Sequence, residues 1–117
     1  MVHTASPVGL VNPRDHNDMI GPAVNGVKFA IESSQRHKVK RIVITSSVAA
    51  VSNQSPENEQ DAYNEDYWSD LAAWDHSAYV KSKTLAEKAA WDFQKKMQET
   101  NQYCPEIVTI CPSAIFG

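Results

Sequence analysis

Glycine is scarce in this chain. Its four glycines, Gly9, Gly21, Gly26 and Gly117, form no glycine-rich turn of the kind that holds a pyrophosphate against a helix N-terminus. Cysteine is scarcer still. Cys104 and Cys111 make no CxxC pair and have no histidine cluster near them, which excludes a disulfide framework and a cysteine-based metal site. Cys104 reads as a loop residue before Pro105, and Cys111, in an apolar run, as a small buried hydrophobe. His3, His16, His37 and His76 are too scattered for a ligand set, so no metal is expected. No apolar stretch approaches the roughly 20 residues of a membrane helix, and no charged start with an apolar core marks a signal peptide. Positive charge is also in deficit. With 11 Lys and Arg against 14 Asp and Glu, the net charge is -3, which argues against a nucleic-acid or anionic-membrane partner. A cytoplasmic setting is expected. Repeats and low-complexity tracts are absent, and Asn53-Gln54-Ser55, though it matches a glycosylation acceptor, reads as polar loop.

What is present fits one globular domain at most. The chain has 117 residues, of which 42% are hydrophobic and 21% charged, enough for a modest core. Met1-Val2-His3 is extended and apolar but shorter than a typical strand. Pro7, Gly9 and Pro13 mark a loop, after which Met19, Ile20, Val24, Val27 and Ile31 trace an amphipathic helix. Asp15 is its expected N-cap, and Pro22 either kinks it or opens a second part; basic residues near Gln35 to Lys38 suit its end. Arg41 to Ser46 is a short, β-branched run, the signature of a parallel strand buried on both faces. A polar stretch from Ser47 to His76 follows, with aromatics at Tyr63, Tyr67, Trp68 and Trp74; a loop that long is usually functional. The second helix is expected from about Ser77 to Thr100, with a stripe of Leu85, Ala86, Ala89, Ala90, Phe93 and Met97 and with Lys and Glu opposite. Asn101 and Pro105 stop it, and Ile107 to Cys111 reads as a last buried strand. Strand, helix, strand, helix, strand is the order of an α/β fold with a parallel sheet and crossover helices.

Tyr79 and Lys83 stand at the head of that second helix. Residues four apart share a helix face, so a phenol and an ammonium can point into one cleft. A phenol is a poor proton donor near neutrality, but a fixed cation stabilises the phenolate and brings proton transfer into range. In an open parallel sheet, ligands bind beyond the carboxyl ends of the strands. His3-Thr4-Ala5-Ser6, Thr45-Ser46-Ser47 and Pro112-Ser113 all fall at such ends, on the edge where the Tyr79 helix begins.

The stretches VHTASPV, PAVNGV, VKRIVITSSVAAV, YNEDYWSD, YVKSKTLAEKAAWDF and ICPSAIFG cover almost the whole chain. Together they resemble the extended short-chain dehydrogenase/reductases of the NAD-dependent epimerase/dehydratase superfamily. The branch is that of dihydroflavonol and cinnamoyl-CoA reductases, with 3β-hydroxysteroid dehydrogenases as cousins. The resemblance implies the central and C-terminal part of a Rossmann-type sheet (β-α-β-α-β), incomplete, and NAD(P)H-dependent reduction of a small-molecule carbonyl. NADP is the expected cofactor, with NAD left open. By the same resemblance Tyr79 protonates the carbonyl oxygen, and Lys83 strengthens Tyr79 as an acid and bonds the nicotinamide ribose. Ser47 orients the carbonyl, with Ser46 the second choice. Thr4, Ala5, Ser46 and Pro112 line the cofactor, and Asn25 serves the active-site helix, a proton relay or plain helix packing. Ser52 and the loop from Gln54 to Trp74 border the substrate or pack on another lobe.

The resemblance also implies what the 117 residues do not contain: the glycine-rich N-terminal half of the dinucleotide domain and the C-terminal substrate lobe. Residues 1–117 are thus expected to be a partial domain, exposing a sheet edge and face when alone. Three other readings stay open: a steroid dehydrogenase or sugar-nucleotide epimerase/dehydratase using the same Tyr, Lys and Ser; a non-catalytic dinucleotide-binding protein; and an inactive fragment.

Overall fold

A computed structural model of the chain describes residues 1–9, 11–54 and 62–116. Three parallel strands, β1 (Val2–His3), β2 (Arg41–Thr45) and β3 (Glu106–Ile110), lie side by side in chain order. Val2 is opposite Val43, Ile42 opposite Ile107, and Ile44 opposite Thr109. Two helices make the crossovers: α1 (Asn17–Arg36) joins β1 to β2 and α2 (Ala78–Glu99) joins β2 to β3. The α/β order read from the sequence is therefore the order of the fold, with boundaries shifted by a residue or two. β3 in particular begins at Glu106 and ends before Cys111.

The core forms where both helices meet one face of the sheet. Ala23, Val27 and Ile31 of α1 and Ala86 and Ala90 of α2 pack on Ile42 and Ile44 of β2 and Ile107 of β3. Burying a valine or isoleucine side chain stabilises by about 1.5–3 kcal/mol, so a few contacts of this kind hold the helix layer on the sheet. Strand side chains alternate, and the residues between these point the other way. Val43 and Val108 on that second face are only half-buried, and Ile110 is 51% exposed. The expectation of strands buried on both faces therefore holds for one face, because among the described residues both helices cover the same side. At the amino ends of the strands, Arg41 and Glu106 pair at 2.7 Å in solvent, a contact worth little.

Helix ends follow local rules. The N-cap of α1 is His16, which makes no side-chain cap bond; Asp15 instead takes the Asn17 N–H on its carboxylate at 2.9 Å. The cap expected at Asp15 is thus displaced by one residue. Pro22 sits inside α1 and the helix runs through it, its missing donor falling in the second turn. Both helices end in a paired reverse turn with a left-handed residue, Lys38 (φ 55°) after α1 and Asn101 (φ 51°) after α2. After α2 the Asn101 N–H bonds the Gln98 carbonyl and the Gln102 N–H that of Met97, at 3.1 and 2.9 Å. Asn tolerates this conformation well, which is why the helix stops there.

Candidate active site

Three strand ends and the head of α2 enclose one cleft of about 570 Å³. It is lined by Thr4 and Ser6 after β1, Ser46 and Ser47 after β2, Pro112 and Ser113 after β3, and Tyr79 and Lys83 from α2. Backbone bonds continue the sheet past its strands and fix this edge: Ser46 N–H to the Ile110 carbonyl at 2.8 Å and Val48 N–H to the Pro112 carbonyl at 3.1 Å. The cleft is therefore built on the rigid end of a sheet.

Ser47 is set by the turn that follows it. Its backbone is extended, and its Oγ accepts the Ala49 N–H at 3.2 Å, capping a one-turn 3₁₀ helix over Val48–Ala50. The polar stretch beyond returns to brace this turn. The buried Ser69 hydroxyl donates to the Ala49 carbonyl at 2.8 Å and accepts the Asn53 N–H at 2.9 Å, while the Ser69 N–H reaches the Ala50 carbonyl at 2.9 Å. Lys88 of α2 lies 5.1 Å from the centre of the Trp68 ring, tying the same stretch to the helix.

Tyr79 enters from the first turn of α2. That turn is fixed twice: Ser77 Oγ accepts the Val80 N–H at 3.2 Å, and Asn12 Oδ1 accepts the Ala78 N–H at 3.1 Å while Asn12 Nδ2 donates to the His76 carbonyl at 2.7 Å. From there the Tyr79 hydroxyl reaches Ser47 Oγ at 3.4 Å. The contact is long for a hydroxyl pair. One turn on, Lys83 is buried, its Nζ 5.8 Å from the centre of the Tyr79 ring.

Burial dominates the electrostatics. It holds the Lys83 ammonium below the usual lysine range, and among the described residues no carboxylate pairs with it. His3 lies close by at the end of β1. Burial first, and the Lys83 cation second, hold its imidazole below the ordinary value, and its buried Nε2 has no hydrogen-bond partner among the described residues. Among those residues no group of three or more His, Cys, Asp or Glu is placed to hold a metal ion, and no helix is long and apolar enough to cross a membrane.

The profile of the 3-beta hydroxysteroid dehydrogenase/isomerase family matches residues 1–117. The chain belongs to that family. Within this wider group the chain is similar to reductases. It is 35% identical over 127 aligned positions to the NADPH-dependent methylglyoxal reductase of Saccharomyces cerevisiae, covering all of this chain and 36% of that protein. It is 42% identical over 96 positions to cinnamoyl-CoA reductase 1 of Arabidopsis thaliana, covering 80% of this chain and 27% of that one. The crystal structure of the yeast methylglyoxal/isovaleraldehyde reductase complexed with NADPH superposes with a TM-score of 0.78 over 99% of this chain and 36% of its own. The chain thus spans about a third of these relatives, and its three-stranded sheet matches part of their Rossmann-like fold.

In this family member the residues singled out from sequence do not all share one place. Tyr79, Lys83, Ser47, Ser46, Thr4 and Pro112 line one cleft. Ser46 does so with its hydroxyl already given to the Glu87 carboxylate. Ala5 lines a smaller crevice next to it, with His3, Lys83 and Glu87. Asn25 is exposed on α1 and outside both linings. Ser52 borders a separate cavity of about 620 Å³, which Tyr63, Asn64 and Glu65 also line. Ser55 and the rest of residues 55–61 lie outside the described residues.

Two corrections concern α2 and its neighbours. Lys and Glu are expected on the side opposite the apolar stripe, apart from Lys83, which the spacing from Tyr79 puts in the cleft; Glu87 departs from this and is buried as Lys83 is. Spacing explains it: Tyr79, Lys83 and Glu87 are four apart, so one face carries all three to the carboxyl edge of the sheet. Cys111 is half-buried and not a plain hydrophobe; its thiol meets the Glu87 carboxylate at 3.5 Å, and burial followed by that negative charge pushes it up. Glu87, Ser69 and Asn12 are the residues that sequence reasoning missed. Extending the four-residue spacing by one step would have found Glu87; nothing local announces Ser69 or Asn12, whose partners lie 20 and 66 residues away.

Proposed function

We propose that this stretch supplies the proton-donating part of an NADPH-dependent reductase of small-molecule carbonyls. The observation that carries the reading is the Tyr79 hydroxyl 3.4 Å from Ser47 Oγ, with buried Lys83 one turn behind, at the carboxyl edge of a parallel sheet. A carbonyl oxygen placed between Tyr79 and Ser47 takes a hydrogen bond from each, which fixes and polarises it. As negative charge develops on that oxygen, the Tyr79 hydroxyl gives up its proton. The Lys83 cation, poorly hydrated and without an acidic partner among the described residues, stabilises the phenolate left behind.

The donor set also suits a nicotinamide ribose. A desolvated ammonium with free donors, beside the exposed Thr4 and the Pro112 carbonyl edge, matches a group rich in hydroxyl acceptors. The bound nicotinamide supplies the hydride. Its pyrophosphate belongs to a glycine-rich turn that we place outside these 117 residues, in keeping with their one-third share of the relatives. A cytoplasmic setting goes with this reading, since both cysteines are free thiols.

The test is NADPH oxidation by the full-length protein with methylglyoxal, isovaleraldehyde and a cinnamoyl thioester as substrates. Turnover that Tyr79→Phe abolishes while NADPH binding persists supports the reading. Full turnover in that variant removes Tyr79 from the chemistry.

A further inference from the structure

Glu87 is 5% exposed, and a carboxylate so placed is costly unless its oxygens are met by donors. Here four meet it. Ser46 Oγ donates to one oxygen, Thr109 Oγ1 to the other at 3.0 Å, Trp91 Nε1 at 3.3 Å and Cys111 Sγ at 3.5 Å. These donors come from the ends of β2 and β3 and from α2 itself. Packing alone gives no reason for a carboxylate here, because an apolar residue of similar volume serves a buried position at least as well. The arrangement around it gives one. Adjacent serines at the end of β2 are each bonded by α2: Ser47 by Tyr79 and Ser46 by Glu87, with Lys83 between the two contacts. Tyr79 and Glu87 are eight residues apart, about 12 Å along a stiff helix at 1.5 Å per residue.

We infer that Glu87 is a positioning residue for the proton-donating pair, holding the end of β2 at a fixed height on α2 so that Ser47 stays within reach of the Tyr79 hydroxyl. This rests on the reductase reading. Glu87 is not among the residues that line the Tyr79 cleft; it acts through Ser46, whose N–H is held by Ile110 and whose C-terminal neighbour is Ser47. Without it, the sheet edge that carries Ser46 and Ser47 keeps its bonds to β3 but loses this tie to α2, and the small misplacements between Ser47 and Tyr79 that follow cost rate rather than affinity.

The experiment is a double-mutant cycle in the full-length protein, with Glu87→Gln, Ser46→Ala and the pair, read as kcat, both KM values and melting temperature. Each single change is expected to lower kcat about 10- to 100-fold while moving the KM values less than about threefold. The double variant should be no slower than the slower single, because both break one connection. Losses that multiply, or full kcat in a folded Glu87→Gln, overturn the inference. So does an effect of Ser46→Ala confined to the KM for NADPH, which would make Ser46 a cofactor contact instead. Should Glu87→Gln fail to fold, Ser46→Ala decides alone, and full kcat there overturns the inference. Turnover that does not depend on Tyr79, or no turnover at all, sinks the reductase reading and the inference with it. Turnover that needs Tyr79 but neither Glu87 nor Ser46 sinks the inference alone.

Discussion

α1 and α2 are 20 and 22 residues long, lie on the same face of one sheet and end in the same kind of turn, yet they bury different chemistry. The buried residues of α1 are Met19, Ala23, Val27, Ile31 and Ser34, an apolar stripe with one hydroxyl that bonds back to the Ala30 carbonyl at 2.8 Å. Those of α2 include Ser82, Lys83, Thr84 and Glu87 beside Ala86, Ala90 and Met97. Both stripes satisfy the same helical period, so periodicity alone cannot tell them apart. A charged group is taken out of water only on α2, on the turns that face the carboxyl ends of the strands. α1 holds the sheet; α2 holds the sheet and presents groups to the cleft.

The sharpest break between them comes from one substitution on each. Tyr79→Phe removes a single oxygen from α2 and should lower turnover by about 10²–10⁴-fold, roughly 3–5 kcal/mol of barrier, with the melting temperature nearly unmoved. Ile31→Ala on α1, at a position with no exposure, should do the reverse: about 2–5 kcal/mol of stability lost, with kcat per folded molecule preserved. Paired urea unfolding and steady-state kinetics read both. A Tyr79→Phe protein that melts far earlier, or an Ile31→Ala protein that is folded but slow, would erase the division of labour.

Lys83 tests whether the charge on α2 is held against stability. Lys83→Met should abolish turnover and yet raise stability on the order of 1 kcal/mol, since it removes a desolvated cation that no carboxylate pairs with among the described residues. The pH dependence has a definite sign. Burial lowers the folded-state value below the unfolded 10.5, so the unfolded chain holds this proton more tightly, and the penalty is full at pH below the lowered value. Stability should therefore climb as pH rises through the lowered value towards 10.5, and that climb should be missing in Lys83→Met. An unchanged pH slope in the variant would assign the alkaline gain to other groups.

Sequence reasoning reached the parts of this molecule that are set by local pattern. The order of elements, the Tyr79–Lys83 face, the Asn101 stop and the strand-end hydroxyls were all legible, because each depends on residues within a few positions of one another. What escaped was set by contacts across the chain. Asn12 is joined to the start of α2 across 66 residues and Ser69 to the turn behind Ser47 across 20, and no spacing rule encodes such pairs. Glu87 escaped for another reason. Glutamate on an amphipathic helix usually marks the wet side, and only donors arriving from two strands and from its own helix make burial tolerable here.

The smallest expected effect separates the two helices at their first turns. α1 begins with one side-chain acceptor, Asp15 on the Asn17 N–H, and none from its N-cap His16, whereas α2 begins with two, Ser77 Oγ on the Val80 N–H and Asn12 Oδ1 on the Ala78 N–H. Orphan N–H groups at a helix start are satisfied by water when exposed, so the second cap on α2 does more than prevent a loss. It fixes the turn from which Tyr79 departs. Ser77→Ala should lose about 1 kcal/mol of stability, and Asn12→Ala a similar amount or less because Asn12 is solvent-exposed. If both caps hold Tyr79 on Ser47, each variant should also show a kcat reduced several-fold at saturating substrate, on the order of the 1 kcal/mol that loosening one turn removes. Asp15→Ala at the start of α1, where the carboxylate meets the Asn17 N–H at 2.9 Å, should lower stability by a comparable or smaller amount and leave kcat alone. Equal kinetic effects from the two helix starts would mean that the caps serve folding only and that Tyr79 is placed by its contact with Ser47 rather than by the turn it leaves.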